Sequence, residues 1–201
     1  MNHKYIFFIK DILVTNFKGD IMNKKGIAID GPAGAGKSTI VKLVAEKLGI
    51  NYVDSGSLYR TIAYCLKQND IDINDALEMT NEELLEILNA MEIVPQFEDG
   101  KQINYLNDEK VEDNLLRTED MSINASTIST NGLVRDKVTN ICRDIAKRYN
   151  VIMEGRDTTT VIMTDALLKV YLDADVLERA NRRIGQLKEK GLKAPSLDEM
   201  I

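Results

Sequence analysis

Apolar residues follow two different spacings along the chain, and these spacings predict both strands and helices. Short apolar runs are typical of buried strands, and they lie at residues 26–30, 51–54, 151–155 and 167–172. Apolar positions three and four residues apart predict helices, and they cover residues 37–48, 57–68, 80–91, 119–128, 133–148 and 175–190. The first four elements run strand, helix, strand, helix. This order indicates an α/β fold with a parallel sheet.

The pattern changes after residue 91. Two short runs at residues 93–97 and 102–106 have the composition of strands, and Asp99 and Gly100 lie between them. An Asp-Gly pair supplies the positive φ angles that a tight hairpin turn requires. We therefore expect a small antiparallel β insert at about residues 92–115.

A glycine-rich loop joins the first predicted strand to the first predicted helix. Residues 31–38 read Gly-Pro-Ala-Gly-Ala-Gly-Lys-Ser, which matches the P-loop pattern of glycine, four residues, glycine, lysine and serine or threonine. Backbone N–H groups and a helix N-terminus then surround a phosphate. Lys37 is expected to reach the β and γ phosphates, and Ser38 is expected to hold Mg²⁺. The predicted ATP-binding residues are Gly31, Pro32, Ala33, Gly34, Ala35, Gly36, Lys37, Ser38 and Thr39.

Composition and charge exclude several classes of protein. The chain has 201 residues, of which 44% are hydrophobic and 29% are charged, as in soluble globular proteins and not in membrane or disordered chains. The 26 basic and 32 acidic residues give a net charge of −6. This balance lacks the basic field that non-specific nucleic-acid binding requires. We therefore expect neither a nucleic-acid partner nor a membrane.

Histidine and cysteine are scarce in this chain. His3 is the only histidine, so histidine-dependent triads and histidine-ligated metal sites are not expected. Cys65 and Cys142 are the only cysteines, and both lie in predicted helices. We predict that they are reduced, buried thiols.

The start of the chain is not expected to belong to the fold. The apolar run at residues 5–9 is too short for a membrane span and is not followed by a cleavage site. Residues 1–24 are predicted to be a disordered extension, and Met22 offers an alternative start. A cytoplasmic location is expected.

A P-loop alone leaves GTPases, ATPases and small-molecule kinases open. The chain has no Asn-Lys-x-Asp guanine motif, which argues against a GTPase. Arg60 lies at the start of the second predicted helix, and Arg156 lies at the end of a predicted strand, where ligands bind in open α/β sheets. A guanidinium group can bind two phosphate oxygens at once, so these residues suit a second phosphate.

Four segments together resemble the bacterial cytidylate kinases, which are nucleoside monophosphate kinases of the P-loop class. The segments are residues 29–38, 54–60, 154–157 and 186–191, and the resemblance covers residues 26–201. It implies a P-loop NTPase fold of three layers with a parallel sheet and a small antiparallel insert. The helix at about 175–190 would then lead into the lid.

The resemblance also implies an activity. The chain would transfer a phosphoryl group from ATP to CMP or dCMP with Mg²⁺, in pyrimidine nucleotide metabolism, as a monomer. Two alternatives remain at this stage. One is another small-molecule kinase with UMP or AMP as acceptor, and the other is a nucleotide-binding module without turnover.

Roles for individual residues follow from the same resemblance. Lys37, Arg156 and Arg182 would act in catalysis. The acceptor would be bound by Ser55, Tyr59, Arg60, Ser126, Arg135, Arg156 and Asp157, with Ser126, Arg135 and Asp157 reading the cytosine edge. Taken without the resemblance, Arg135 and Arg182 are typical of a solvated helix face, and Ser126 of helix packing. Asp173 follows a predicted strand like a Walker B acid, although a strand cap explains it as well.

The sequence departs from the family pattern in two places. Thr159 stands where relatives usually have glycine, beside the segment predicted to read cytosine. Relatives also continue past the helix that begins at Ser196 with a basic segment, a strand and a helix. The resemblance therefore implies that the C-terminal end of the domain is missing from this chain.

Overall fold

A computed structural model describes residues 26–189, 191 and 194–200 of the chain. The predictions for residues 1–24, with His3 and Met22, lie outside the described residues. Lys190, the expected last residue of the lid-region helix, also lies outside them.

In the part of the chain that the structure describes, seven strands form one sheet. They are β1 (Ile27–Asp30), β2 (Asn51–Asp54), β3 (Ile93–Glu98), β4 (Lys101–Leu106), β5 (Glu109–Lys110), β6 (Val151–Gly155) and β7 (Leu168–Tyr171). The helices are α1 (Lys37–Leu48), α2 (Ser55–Gln68), α3 (Ile73–Glu78), α4 (Asn81–Ala90), α5 (Asp113–Leu116), α6 (Glu119–Ile128), α7 (Gly132–Arg148), α8 (Val176–Glu189) and α9 (Leu197–Met200). A π-helical turn spans Thr158–Ile162.

The sheet has the order β3-β4-β2-β6-β1-β7, and β5 pairs with β4. The four strands β2, β6, β1 and β7 are parallel, with Ile27 opposite Ile152 on one side and Leu168 on the other. The prediction of an α/β fold with a parallel sheet is confirmed. Because β1 is flanked by parallel strands, the loop that follows it opens at the carboxyl edge of the sheet, where such folds bind ligands.

Alternating residues of the strands face two different helix layers. One face of the sheet packs against α1, and its core consists of Ile27, Ile29, Val41, Ala45, Ile50, Tyr52 and Ile152. The other face carries the larger core, built by Ala28, Val53, Val151 and Met153 with residues of α2, α6 and α7. Helices therefore cover both faces, as the alternation of strands and helices requires. The predicted three-layer arrangement is confirmed.

The antiparallel insert is also confirmed, and it belongs to the main sheet. Residues Ile93–Glu98 pair antiparallel with Lys101–Leu106, and the turn between them has φ angles of 50° at Asp99 and 73° at Gly100. On its other side β4 pairs with β2 through Tyr52 and Lys101. The hairpin thus extends the sheet next to the strand that leads into α2.

The sequence pattern missed the short elements and placed several boundaries one or two residues away from those of the structure. The predictions did not include α3, α5, β5 or the π-helical turn, because two to six residues are too few to show a period. The helix predicted from residue 57 begins at Ser55 instead. Asp54 provides the reason, because its side chain accepts a hydrogen bond from the N–H of Ser57 at 3.2 Å and caps the helix.

Two further expectations can be compared with the structure. Cys65 and Cys142 are free and buried, as predicted, and burial raises the pKa of both thiols. Within residues 26–189, 191 and 194–200, no helix combines the length and apolar composition that a membrane crossing requires.

Candidate active site

The phosphate loop leaves β1 after Asp30 and enters α1 at Lys37. Gly31 has a φ of 149°, and a Cβ atom there would lie 1.9 Å from the carbonyl oxygen of Leu172. Gly36 precedes the helix with a φ of 93°. Both positions therefore require glycine, the first because β7 ends against it and the second because of its left-handed backbone.

Lys37 points back into this loop. Its Nζ donates hydrogen bonds to the carbonyl oxygens of Gly31 at 2.6 Å and Pro32 at 2.9 Å. Burial lowers the pKa of Lys37, and attraction to Glu154 partly offsets that effect, while Arg156 lowers the pKa further. The loop therefore holds a desolvated ammonium group at its centre, where it can meet phosphate oxygens.

Glu154 is a buried carboxylate beside Lys37 to which the sequence analysis gave no role. It lies at the end of β6 and accepts a hydrogen bond from the hydroxyl of Tyr52. Burial raises the pKa of Glu154, while hydrogen bonds from Tyr52 and Ser38 and the charge of Lys37 lower it. The signal in the sequence was a charged residue in an otherwise apolar strand.

Ser38 and Glu154 supply oxygen ligands of the kind that Mg²⁺ prefers. Among the described residues, no group of three or more His, Cys, Asp or Glu side chains could hold a metal ion. Mg²⁺ does not need such a cage, because it usually keeps several waters and shares substrate phosphates with one or two protein oxygens. The residues present therefore fit a Mg²⁺ ion that arrives with a nucleotide.

Arginines surround Asp54 at the neighbouring strand end. Oδ2 of Asp54 lies 3.5 Å from Nη1 of Arg60 and 3.3 Å from Nη2 of Arg117. Among the described residues, Nε and Nη1 of Arg60 are buried without a hydrogen-bond partner. Because a buried guanidinium with open donors is costly unless an anion or water satisfies it, this position suits a second phosphate. Ser55, the first residue of α2, is buried and donates to the carbonyl oxygen of Glu154 at 2.9 Å.

Side chains from the insert hold the start of α2 in place. Gln102 accepts a hydrogen bond from the N–H of Asp54 at 2.9 Å and donates to the hydroxyl of Ser57 at 2.9 Å. Asn104, which is 4% exposed, donates to the hydroxyl of Thr61 at 2.9 Å. The hairpin thus fixes the helix that carries Arg60. The sequence analysis predicted the hairpin but not this role.

The structure brings together three of the residues predicted to contact the base and sugar. Nη2 of Arg135 pairs with Oδ2 of Asp157. Burial raises the pKa of Tyr59 to about 12. The positive charge of Arg135 lowers this pKa, and the negative charge of Asp157 raises it. Ser126 lies exposed on α6, and among the described residues no hydrogen bond joins its side chain to Arg135 or Asp157.

Two arginines of α8 contact other segments of the chain. Nη1 of Arg182 lies 3.3 Å and 3.4 Å from the carbonyl oxygens of Gly34 and Ala35, so this side chain faces the phosphate loop. Arg183 forms a bidentate pair with Glu119 of α6 at 2.7 Å and 2.8 Å. Both side chains are therefore partly buried and contact other segments of the chain. Helix α8 connects the loop to the helix layer beyond it.

Two other residues lie at strand ends. Arg156 is exposed directly after β6, and it is close enough to Lys37 for its positive charge to lower the pKa of that lysine. Asp173 is exposed after β7 and accepts a hydrogen bond from the N–H of Ala174 at 2.8 Å. The geometry of Asp173 is that of a strand cap.

A phosphate loop at the carboxyl edge of a parallel sheet, with arginine side chains at the end of another strand of the same sheet, is the arrangement of a P-loop kinase, an enzyme that moves a phosphoryl group between two bound anions. Comparison with known proteins narrows this class. The family model described as cytidylate kinase matches residues 27–201. The chain belongs to the cytidylate kinase family.

Individual relatives agree with the family model. A cytidylate kinase of Caldicellulosiruptor saccharolyticus is 44% identical over 170 residues, which cover 85% of this chain and 73% of the relative. A cytidylate kinase of Lactobacillus gasseri is 37% identical over 177 residues, with 85% and 74% covered. A bifunctional pantoate ligase/cytidylate kinase of Prochlorococcus marinus is 37% identical over 87% of this chain and 33% of its own length.

Proposed function

We propose that this chain transfers the γ-phosphoryl group of ATP to CMP or dCMP, giving ADP and CDP or dCDP. The family supports this reaction, and the observation that carries it is the guanidinium group of Arg60, whose buried Nε and Nη1 lack hydrogen-bond partners among the described residues and suit a second phosphate. Asp54, which pairs with Arg60, is also close enough to Lys37 for its negative charge to raise the pKa of that lysine. Two phosphate sites at one sheet edge are what a reaction between two nucleotides requires.

On the donor side, we assign the ATP phosphates to the loop of residues 31–39. Backbone N–H groups at the start of α1 would bind phosphate oxygens. Lys37 would move from the carbonyl oxygens of Gly31 and Pro32 to the β and γ phosphates. Ser38, with Glu154 beside it, would hold Mg²⁺, which supplies charge neutralisation to the phosphates when it is bound.

On the acceptor side, we assign the monophosphate to Arg60 and Arg156. An oxygen of the acceptor phosphate attacks the γ phosphorus while the bond to the ADP oxygen breaks, so the protein need not provide a nucleophile. Arg182 faces the loop and would neutralise charge on the transferring group. Closure of α8 over the loop would exclude water.

We assign the cytosine edge to Arg135, Asp157 and Ser126. Cytosine offers acceptors at O2 and N3 and a donor amino group, so arginine and serine can donate while the aspartate accepts. The arginine and the aspartate already contact each other beside Tyr59.

We also infer that the chain works as a monomer in the cytoplasm, and its net charge of −6 supports the absence of a nucleic-acid partner.

The assay that tests this proposal is ADP formation with Mg²⁺-ATP and a single acceptor at a time. CMP and dCMP are expected to give turnover, whereas UMP and AMP are expected to give little. Turnover with UMP or AMP above that with CMP would contradict the cytosine assignment. ATP binding without ADP formation from any of the four would indicate a nucleotide-binding module instead.

The base assignment predicts a change in selectivity for Asp157→Asn. The amide can donate to O4 of uracil, and the charged acceptor for the cytosine amino group is lost. We expect the ratio of kcat/KM for CMP to kcat/KM for UMP to fall about 10- to 100-fold, the worth of one hydrogen bond to a charged group. Asp144→Asn, on the exposed face of α7, is the matched control and should leave the ratio unchanged. An unchanged ratio in Asp157→Asn would remove this residue from base recognition.

A further inference from the structure

A buried carboxylate links the phosphate loop to the strand end that carries Arg156 and Asp157. Asp30 is the last residue of β1 and is 2% exposed. Its Oδ1 accepts a hydrogen bond from the N–H of Thr158 at 2.8 Å. Its Oδ2 accepts two, from the N–H of Thr159 at 2.8 Å and from the Thr159 hydroxyl at 2.5 Å. Charged acceptors make hydrogen bonds of this kind short and strong.

Asp30 is also fixed at its backbone. Its carbonyl oxygen accepts a hydrogen bond from the N–H of Leu172 at 2.8 Å, just beyond β7. The next residue, Gly31, packs so closely against Leu172 that it cannot carry a Cβ atom. The carboxylate of Asp30 is therefore an immobile acceptor, and a group bound to it is fixed relative to the phosphate loop.

The partner of this carboxylate is the π-helical turn Thr158–Ile162. The turn closes back on Asp157, whose carbonyl oxygen accepts a hydrogen bond from the N–H of Val161 at 2.8 Å. Irregular turns of this kind are held by particular contacts rather than by a regular helix ladder. The position of Asp157 therefore depends on the turn, and the position of the turn depends on Asp30.

We propose that Thr159 is a positioning residue for the acceptor nucleotide, and that its hydroxyl, bound to Asp30, sets the position of Arg156 and Asp157 relative to the phosphate loop. This inference rests on the proposed roles of Arg156 and Asp157. Thr159 itself is two residues from Asp157 and is not assigned a contact with the nucleotide. It acts through the turn, so its loss weakens acceptor binding and leaves ATP binding unchanged.

The test compares Thr159→Val, which keeps the shape and loses the hydroxyl, with Thr159→Ser, which keeps the hydroxyl. Thr159→Ala is a second variant without the hydroxyl, in case valine is poorly accommodated. Both backbone hydrogen bonds to Asp30 remain possible in all three. We expect KM for CMP to rise about 10-fold in the valine and alanine variants, as for loss of a hydrogen bond to a charged group. KM for ATP should stay within about 2-fold, as should both constants in the serine variant.

The readouts separate positioning from stability. A residue that only stabilises the fold would lower Tm and leave both KM values unchanged in the folded enzyme, and that result would overturn the proposal. Equal KM values for CMP in the valine and serine variants would overturn it as well. A rise in KM for ATP equal to that for CMP would also contradict it.

A second measurement does not depend on turnover. Amide hydrogen exchange of residues 156–162 should be faster in Thr159→Val than in Thr159→Ser, because the turn loses its side-chain attachment. If the wild-type chain does not phosphorylate CMP, the proposed function fails, and exchange alone decides about the attachment. Faster exchange in the valine variant then supports the attachment of the turn to Asp30 through the hydroxyl, and equal exchange overturns it.

Discussion

Lys37→Ala is expected to lower kcat for CMP phosphorylation about 1000-fold, at the upper end of what removal of one preorganised donor costs. Lys37 is half-buried in the phosphate loop and donates to the carbonyl oxygens of Gly31 and Pro32. Its Nζ therefore lies inside the loop to which the β and γ phosphates are assigned, and it can move from these carbonyl oxygens to the phosphates. Charge that develops during phosphoryl transfer would lose its nearest cation. Steady-state ADP formation measures the effect.

The matched control for this variant is Lys47→Ala. Lys47 is exposed in the last turn of the same helix, so the substitution removes the same charge at the other end of α1. Its kcat should stay within about 2-fold of wild type, because exposed charges contribute little. If Lys37→Ala retains a rate within a few-fold of wild type, the assignment of the loop to ATP phosphates is wrong.

Arg60→Ala is expected to raise KM for CMP about 100-fold, as for the loss of two charged hydrogen bonds. The Nε and Nη1 atoms of Arg60 lack hydrogen-bond partners among the described residues, so an acceptor phosphate would satisfy donors that are already buried. KM for ATP should change little, since the ATP phosphates are assigned to the phosphate loop and not to Arg60. Asp54 keeps its pair with Arg117, so the substitution does not leave that carboxylate alone.

Two comparisons make the Arg60 prediction specific. Arg60→Lys should recover only part of the loss, because an ammonium group cannot bind two phosphate oxygens in the manner of a guanidinium. Arg148→Ala, at the exposed end of α7, should leave KM for CMP unchanged. Equal KM values for CMP in wild type and Arg60→Ala would place the acceptor phosphate elsewhere.

The sequence predicted the main architecture because the long elements have clear periods. The strand over 151–155 and the helices over 37–48 and 119–128 appear where the apolar spacing indicated. The π-helical turn could not be predicted, because it depends on hydrogen bonds to Asp30, which is more than a hundred residues away in the sequence. Contacts between distant segments leave no local period.

The site could be predicted where the chemistry is local. The phosphate loop is a continuous segment, so its pattern of glycines, lysine and serine can be recognised without knowledge of contacts from distant residues. Glu154 and Gln102 were missed because their positions beside Lys37 and Asp54 result from strand order. Arg182 was ambiguous on a charge-rich helix, and only the structure shows that it faces the loop carbonyl oxygens.

The two buried thiols have a practical consequence for experiments on this chain. Cys65 on α2 and Cys142 on α7 belong to the same hydrophobic core, and they are the only cysteines in the sequence. Thiolates, not thiols, react with alkylating reagents, and burial suppresses both access and ionisation here. The rate of alkylation therefore reports how often the core between these helices opens, without any introduced label.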